Sequence, residues 1–346
     1  LKNGFQWCLH CGQPHALDVT VCAVTGATLA TSMHAQRQTP PRLPTGLIAG
    51  KYRLGRMIGS GAFGRVHEAE NVALRRVVAM KILTSTSPDA ARRMRREARV
   101  LAGLHHANIC DVYDVGELDD GRPFIVLERL RGETLAARLA RERRLSLEKV
   151  VQIFTQVLSA LQAAHGAGVI HRDLKPANVF LAEEVGCPPI VKLVDFGLAK
   201  DLLDEGSSTA LGTRCGSPSH MSPEQLRGDP LDGRSDLFAV GIMLFESLAG
   251  GHPFYASTIV EIATRILRAP APSLRRARPS LPGWIEEVVL GALQKEPEWR
   301  FDSAAQMQRA LLATESWRQS FSGEDSATDL AILRVRSSSS TTPSAR

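Results

Sequence analysis

Four short runs in this chain combine residue types that could handle phosphate groups and a metal ion. The first is Gly59-Ser60-Gly61-Ala62-Phe63-Gly64-Arg65-Val66. Glycines at this spacing let a strand–turn–strand lie close over a polyphosphate with backbone N–H groups facing it. A tight hairpin with no ligand reads equally well, because Gly is the default turn residue. The second run, Val78-Ala79-Met80-Lys81, is an apolar strand ending in a single Lys. Such a Lys is ordinarily a solvated edge residue. To hold phosphate oxygens it needs a carboxylate to fix it, and Glu97 could supply one from a helix facing the sheet. The plainer alternative for Glu97 is a surface pair with Arg93, one helical turn away. The third run is His171-Arg172-Asp173-Leu174-Lys175-Pro176-Ala177-Asn178. Asp173 can accept a proton from a hydroxyl, Lys175 can steady a transferring phosphoryl group, and Asn178 can ligate a hard metal through its amide oxygen. In the fourth, Val191-Lys192-Leu193-Val194-Asp195-Phe196-Gly197, an apolar strand delivers Asp195 where it could bind magnesium, and Phe196 packs inward.

These runs need a sheet and a helical body to hold them. Residues 52 to about 130 read as strands, interrupted by one helix. Ser87 is a good N-cap for it, Pro88 suits its first position, and Asp89 favours the positive helix end. From Ser146 the pattern turns helical, with Val150, Ile153, Phe154, Val157, Leu158 and Leu161 on one stripe and a stop at Gly166 and Gly168. A sheet-rich part followed by a helix-rich part gives an α+β chain with two lobes. Ahead of it, residues 1–30 hold Cys8, Cys11 and Cys22, and residues 31–50 read as a linker carrying Pro40, Pro41 and Pro44. Residues 315–346 form a Ser/Thr-rich tail that reads as disordered.

Composition narrows the class. Of the 346 residues 44% are hydrophobic and 23% charged, as in ordinary globular proteins. The net charge of +6 suits a phosphate-rich partner without demanding nucleic acid. The longest apolar stretch, Leu237 to Phe245, is too short to span a bilayer. The first residues lack the charged-then-apolar order of a signal peptide, and a chain that starts at Leu1 rather than Met is expected to be either a fragment or one with an unusual start. Six cysteines in a chain this long make no disulfide framework, so the reducing cytoplasm is the expected compartment.

Taken in order, G-S-G-A-F-G-R-V, V-A-M-K, a helical Glu, H-R-D-L-K-P-A-N, D-F-G and Ser222-Pro223-Glu224 (in place of A-P-E) resemble the eukaryotic-type protein kinase family, in its bacterial form. The resemblance implies a bilobal protein-kinase fold over residues 51–314, with a small sheet-rich N-lobe (51–128) and a larger helical C-lobe (129–314). It implies that Gly59, Gly61 and Gly64 cover the ATP phosphates, Val66 and Ala79 line the adenine pocket, and Lys81 contacts phosphate and pairs with Glu97. Phe124 to Leu130 resembles the hinge, with Leu127 as gatekeeper and the backbones of Glu128 and Leu130 on adenine. Glu133 is placed for the ribose and Phe180 for the adenine floor. Asn178 and Asp195 would bind Mg²⁺, and Asp173 would take the proton of the substrate hydroxyl. Lys175 and Ser217 mark the Ser/Thr form. His220 departs from the family, which has an aromatic such as Tyr there, and leaves the shape of the peptide-docking loop open.

Further expectations follow from the same resemblance. Thr213 in the activation loop is a candidate phosphosite and Arg172 a receiver for its phosphate. Asp236 would brace the catalytic loop, and Arg300 would pair with Glu224. The spacing Cys8-x2-Cys11-x10-Cys22 has the shape of a zinc ribbon lacking its fourth cysteine, since position 25 is Thr. His10, His15 or His34 could complete a Zn²⁺ site; the alternative is a degenerate ribbon without metal. Cys110, Cys187 and Cys215 are isolated. The expected activity is Ser/Thr protein phosphorylation with ATP and Mg²⁺, the rival being a nucleotide-binding scaffold that transfers nothing. Protein substrates are the expected partners, with a further partner conceivable through the N-terminal segment or the tail. A nucleic acid partner is not expected, since few aromatic or basic residues accompany the cysteines.

Overall fold

Alternating residue types along the first part of the chain build an antiparallel sheet of six strands. The computed structural model of the protein describes residues 5–7, 14–16, 46–61, 64–84, 88–183, 189–196 and 218–313; for residues 5–7, 14–16, 88–91, 93, 96 and 97 it describes the backbone alone. A short hairpin comes first, β1 (Phe5–Trp7) paired with β2 (Pro14–Ala16). It brackets Cys8 and Cys11, which like Cys22, His10 and His34 lie outside the described residues. The larger sheet follows: β3 (Leu47–Ile48), β4 (Tyr52–Gly61), β5 (Gly64–Asn71) and β6 (Arg76–Leu83). After α1 (Pro88–Ala102) come β7 (Val112–Glu117) and β8 (Pro123–Leu127), and the strand order is β3-β4-β5-β6-β8-β7. Because side chains alternate across a strand, Val78, Met80 and Ile82 of β6 join Tyr52, Ala69, Phe124 and Val126 in the core on one face. Ala79 and Lys81 are left for the other face. The helix begins at Pro88, as the sequence predicts, and buries Met94, Ala98 and Leu101, a single helical stripe.

Downstream lie β9 (Gly132–Thr134), α2 (Leu135–Glu142), α3 (Leu147–Gly166), β10 (Val179–Ala182) and β11 (Ile190–Leu193). The three strands form a second sheet in the order β11-β10-β9. Then come α4 (Pro223–Arg227), α5 (Gly233–Ala249), α6 (Ile259–Arg268), α7 (Leu274–Ala277), α8 (Gly283–Ala292) and α9 (Ala304–Leu312). Ser146 caps α3 by accepting from the Lys149 N–H at 3.3 Å. Val150, Phe154, Val157, Leu158 and Leu161 of α3 are buried as the stripe predicts. The apolar run Leu237–Phe245 falls in α5, buried on all sides against its neighbours α3 and α8. A helix apolar all round is a core helix here, and no helix among the described residues is long and apolar enough to cross a membrane.

Two compact units divide the chain, one drawn from residues 1–133 and 180–217, the other from 134–179 and 218–346. The first is the sheet-rich lobe and the second the helical lobe of a bilobal α+β fold. Residues 190–193 belong with the sheet unit because backbone hydrogen bonds stitch them to 108–110: Cys110 N–H donates to the Leu193 carbonyl at 3.0 Å and Leu193 N–H to the Asn108 carbonyl at 2.8 Å.

Candidate active site

In the sheet unit, Gly59 pairs with Val66 and Gly61 with Gly64 across β4 and β5, and Val66 in turn sits opposite Lys81. One row therefore crosses the sheet face away from the core. A Cβ on Gly64 would come within 2.3 Å of the Ile82 carbonyl, so only glycine lets β5 approach β6 there. A Cβ on Gly59 would make ordinary contact with Val66 at 3.8 Å. The protein's own packing therefore does not require glycine at 59. Residues 62 and 63 of the turn lie outside the description.

Lys81 meets Asp195: Nζ lies 2.6 Å from Oδ1, with 12% of the lysine and 37% of the aspartate side chain exposed. Glu97 lies within α1, but its side chain falls outside the described residues, so its expected pairing with Lys81 does too. Asp195 is presented by β11, which Asn108 anchors through Nδ2 on the Val191 carbonyl at 2.9 Å. Asp195 adopts φ 56°, a left-handed conformation uncommon for a non-glycine residue, and Phe196 beside it is buried.

The segment expected to form the hinge, Phe124–Leu130, is tied to the same strand. Glu128 N–H donates to the Asp111 carbonyl at 2.9 Å, and Lys192 Nζ on β11 bonds Glu128 Oε2 at 2.8 Å. Cys110 nearby is buried; burial pushes its thiol well up, with Glu128 adding to the effect, so it stays a structural thiol. Ala79 is buried, while Val66, Leu127, Leu130, Glu133 and Phe180 are half-buried. Gly132 holds φ 128°, and a Cβ there would lie 2.1 Å from the Leu181 carbonyl, which explains the glycine ahead of Glu133.

The helical unit carries the other group. After α3 the chain turns at Gly168 (φ 74°) and enters the loop of His171, Arg172 and Asp173. Asp236, in the first turn of α5, accepts from the His171 N–H at 2.8 Å and the Arg172 N–H at 3.0 Å, which is the bracing role the sequence assigns it. His165 Nε2 also reaches Asp236, at 2.8 Å. A Cβ on Gly233 would come within 2.5 Å of the His165 ring, so the glycine makes room for that approach. Lys175 Nζ lies 2.9 Å from Asp173 Oδ2, and Asn178 Nδ2 donates to the Asp173 carbonyl at 2.7 Å and to its Oδ2 at 3.2 Å. Gln225, within the capping box that Ser222 forms with it, donates to the Arg172 carbonyl at 2.8 Å.

Arg300 pairs with Glu224 at 2.6 and 2.8 Å, and Ser235 Oγ adds a bond at 2.6 Å. Burial alone would raise the Glu224 carboxyl, but Arg300 pulls it down to about 2. His165, Gln225 and the Lys192–Glu128 tie are contacts that sequence reasoning missed. Thr213, Ser217, Gly197, Cys187 and Cys215 lie outside the described residues.

The model of the protein kinase domain family matches residues 52–312. The chain is 42% identical over 280 residues to the serine/threonine-protein kinase pkn3 of Myxococcus xanthus, covering 79% of this chain and 51% of that protein. It is 38% identical over 264 residues to the serine/threonine-protein kinase PrkC of Bacillus subtilis, covering 75% and 40%. It is 34% identical over 313 residues to Pkn1 of M. xanthus, covering 88% and 45%. The chain thus spans about half the length of the curated relatives it matches. Residues 52–312 make up most of the sequence, and this chain belongs to the protein kinase domain family.

Proposed function

We propose that the chain is a Ser/Thr protein kinase, moving the γ-phosphoryl group of ATP onto Ser or Thr hydroxyls of protein substrates. The observation that carries this reading is the setting of Asp173. Its carboxylate is held by Lys175 and Asn178 within a loop that Asp236 pins from below. A carboxylate so fixed is suited to accept the proton of an attacking hydroxyl.

The residues fit Mg²⁺, a hard cation that takes oxygen donors. Asp195 offers a part-exposed carboxylate. Asn178 spends its amide nitrogen on Asp173, which leaves the amide oxygen as its ligand atom. When bound, the metal neutralises phosphate charge. The chain's residues do the remainder. Backbone N–H groups of the Gly59–Gly64 turn and Lys81 hold the phosphates, Ala79 and Val66 pack on adenine, and Glu128 and Leu130 bond it through their backbones. Phe180 floors the base, and Glu133 takes the ribose. The ordinary packing around Gly59 supports this, because the glycine is then there for a ligand. In the transfer, the hydroxyl oxygen bonds to the γ-phosphorus as the bond to the β–γ bridging oxygen breaks. ADP leaves and the hydroxyl proton passes to Asp173, with Lys175 steadying the moving phosphoryl group.

Thr213 phosphorylation, with Arg172 as receiver, is the regulation this reading favours. Cys8, Cys11 and Cys22 are proposed to hold zinc on spacing alone, and metal analysis of the purified chain would decide that. The N-terminal segment or the tail would take any further partner, and cysteine usage favours the reducing cytoplasm. The test is transfer of labelled γ-phosphate, with Mg²⁺, to a generic Ser/Thr substrate and to the chain itself. Asp173→Asn is expected to lower it by about 10²- to 10⁴-fold. Undiminished transfer in that variant would overturn the assignment, and ATP binding without transfer by the unaltered chain would make it a scaffold.

A further inference from the structure

Arg172, which precedes Asp173, adopts φ 62°. That left-handed conformation is uncommon for a residue with a Cβ, and it persists where surrounding bonds hold it. Such bonds line this stretch. The His171 and Arg172 N–H groups donate to Asp236 at 2.8 and 3.0 Å. The Asp173 N–H donates to the His171 carbonyl at 2.8 Å, and Asn178 Nδ2 donates to the Asp173 carbonyl at 2.7 Å. The Arg172 carbonyl accepts from Gln225 Nε2 at 2.8 Å, across 53 residues of sequence.

Gln225 is bonded at both ends of its amide. Its Oε1 accepts from the Ser222 N–H at 3.0 Å, and its own N–H donates to Ser222 Oγ at 3.3 Å, which completes the capping box of α4. A carboxamide carries an acceptor and two donors in one plane, so this one side chain joins the start of α4 to the loop of Asp173. A capping box alone needs only the acceptor, and Glu fills that place as well as Gln. The Arg172 carbonyl needs a donor, which an ionised Glu lacks. The amide at 225 therefore does more than the helix start requires.

The segment that carries Gln225 is firmly held. Beside it, Glu224 is bonded by Arg300 at 2.6 and 2.8 Å and by Ser235 Oγ at 2.6 Å. Ser222 is 0% exposed. Just upstream is the 3-10 turn Pro218–His220. His220 Nε2 lies 2.9 Å from Glu246 Oε2 on α5, and His252 Nε2 lies 2.8 Å from the Ser219 carbonyl. A support fastened on both sides can hold the 172–173 peptide plane against the ordinary φ preference of Arg172.

We propose that Gln225 is a positioning residue for phosphoryl transfer: by donating to the Arg172 carbonyl it fixes the peptide plane that leads into Asp173, and with it the direction of the Asp173 carboxylate. The effect on transfer rests on the function proposed above; the hold on the loop does not. Without that bond Arg172 relaxes from its left-handed conformation. Asp173 then shifts against Lys175 and Asn178, which lie 2.9 and 3.2 Å from its Oδ2. The proton acceptor spends less time facing the attacking hydroxyl, and transfer slows because the step depends on orientation.

Gln225→Glu and Gln225→Met separate this role from the helix start. The first keeps the capping box and removes the donor. The second removes both and adds no charge. With labelled ATP, Mg²⁺ and a generic Ser/Thr peptide, kcat is expected to fall about ten-fold in each, the scale of one hydrogen bond. The KM for ATP and the KM for peptide should stay unchanged, a split that marks an interaction lost in the transition state. Thermal unfolding should be unaltered in Gln225→Glu and lowered in Gln225→Met. A fall in kcat confined to Gln225→Met would assign the effect to the cap, and one confined to Gln225→Glu would assign it to the added charge. Either result overturns the proposal, as does full activity in both variants. Hydrogen exchange of residues 171–174 in the full chain needs no catalysis. The Arg172 and Asp173 amides should exchange about ten-fold faster in both variants, as expected for a loop that opens more readily. If the unaltered chain transfers no phosphate, the proposed function fails and exchange alone judges the hold; unchanged exchange in both variants then overturns it.

Discussion

In the sheet-rich unit, the contact of Lys81 among the described residues is one of 2.6 Å to an Asp195 side chain that is more than a third open to water. In the helical unit, Arg300 makes two bonds to Glu224 and three more to the carbonyls of Arg234, Gln294 and Lys295, with 0% of its side chain exposed. A guanidinium has five N–H donors, and all five are used. Both contacts join a basic side chain to a carboxylate, yet one is open and replaceable and the other sealed on every side. The difference separates two roles. Arg300 and Glu224 have nothing left to offer a ligand and lock α4 to the chain end of the lobe. Under the proposed function, Lys81 and Asp195 each exchange the other for a phosphate oxygen or a metal.

Breaking the sealed pair should give the largest effect. Arg300→Met leaves Glu224 buried and unpaired, which costs about 3 to 5 kcal/mol in urea unfolding at pH 7. Adding Glu224→Gln should recover much of that loss, because the stranded charge goes with it. The pair also sets a pH limb. The Glu224 carboxyl is pulled from 4.5 to about 2, so its stabilisation is complete above the ordinary value and fades as pH falls toward 2. That limb amounts to roughly 3 kcal/mol and should be absent from Glu224→Gln. If Arg300→Met unfolds at the same urea concentration as the unaltered chain, the sealed pair is not what holds this lobe.

The open pair should behave in the opposite way. Lys81→Met removes a part-exposed contact, so stability should change by about 1 kcal/mol or less. Phosphotransfer should nevertheless fall by about 10²- to 10³-fold, the scale for losing one preorganised charge. Thermal unfolding and labelled-phosphate transfer on the same sample separate the two. A large stability loss with transfer intact would reverse the contrast.

Local signals made much of this legible in the sequence. Ser146 and the α3 stripe, Pro88 at the head of α1, and Asp236 at the start of an apolar helix are features of neighbouring residues, and the structure bears them out. Gly64 and Gly132 lack a Cβ because the Ile82 and Leu181 carbonyls stand in its place, a need that the glycine spacing, read for a polyphosphate, does not state. What stayed hidden were pairings decided by packing between distant segments. Lys81 and Asp195 are 114 residues apart, and His220 and Glu246 are 26 apart. His165 at the end of a helix carries no mark of a contact with Asp236 until Gly233 is seen to make room for it. His220 departs from the family in sequence, but Glu246, which its ring contacts, lies beyond the motif that holds it.

Lys192 offers the finest test of the contrast, because it lies between the extremes. Its Nζ sits 2.8 Å from Glu128 with 14% of the lysine and 26% of the glutamate side chain exposed. It neither meets a proposed ligand nor closes a core. It joins β11, which presents Asp195, to the segment proposed to hold adenine through its backbone. Lys192→Met keeps the stem and removes the charge. Asn108, Cys110 and Leu193 still stitch β11 in place, so the fold should hold. The backbone of that segment would lose one side-chain anchor, a loss of about 0.5 to 1.5 kcal/mol in nucleotide affinity. The expected readout is a KM for ATP raised roughly three- to ten-fold with the KM for peptide unchanged. Glu128→Gln should raise it less, since the amide can still accept from Lys192. Equal increases in both KM values would mean that Lys192 supports the unit as a whole and belongs with Arg300 rather than with Lys81.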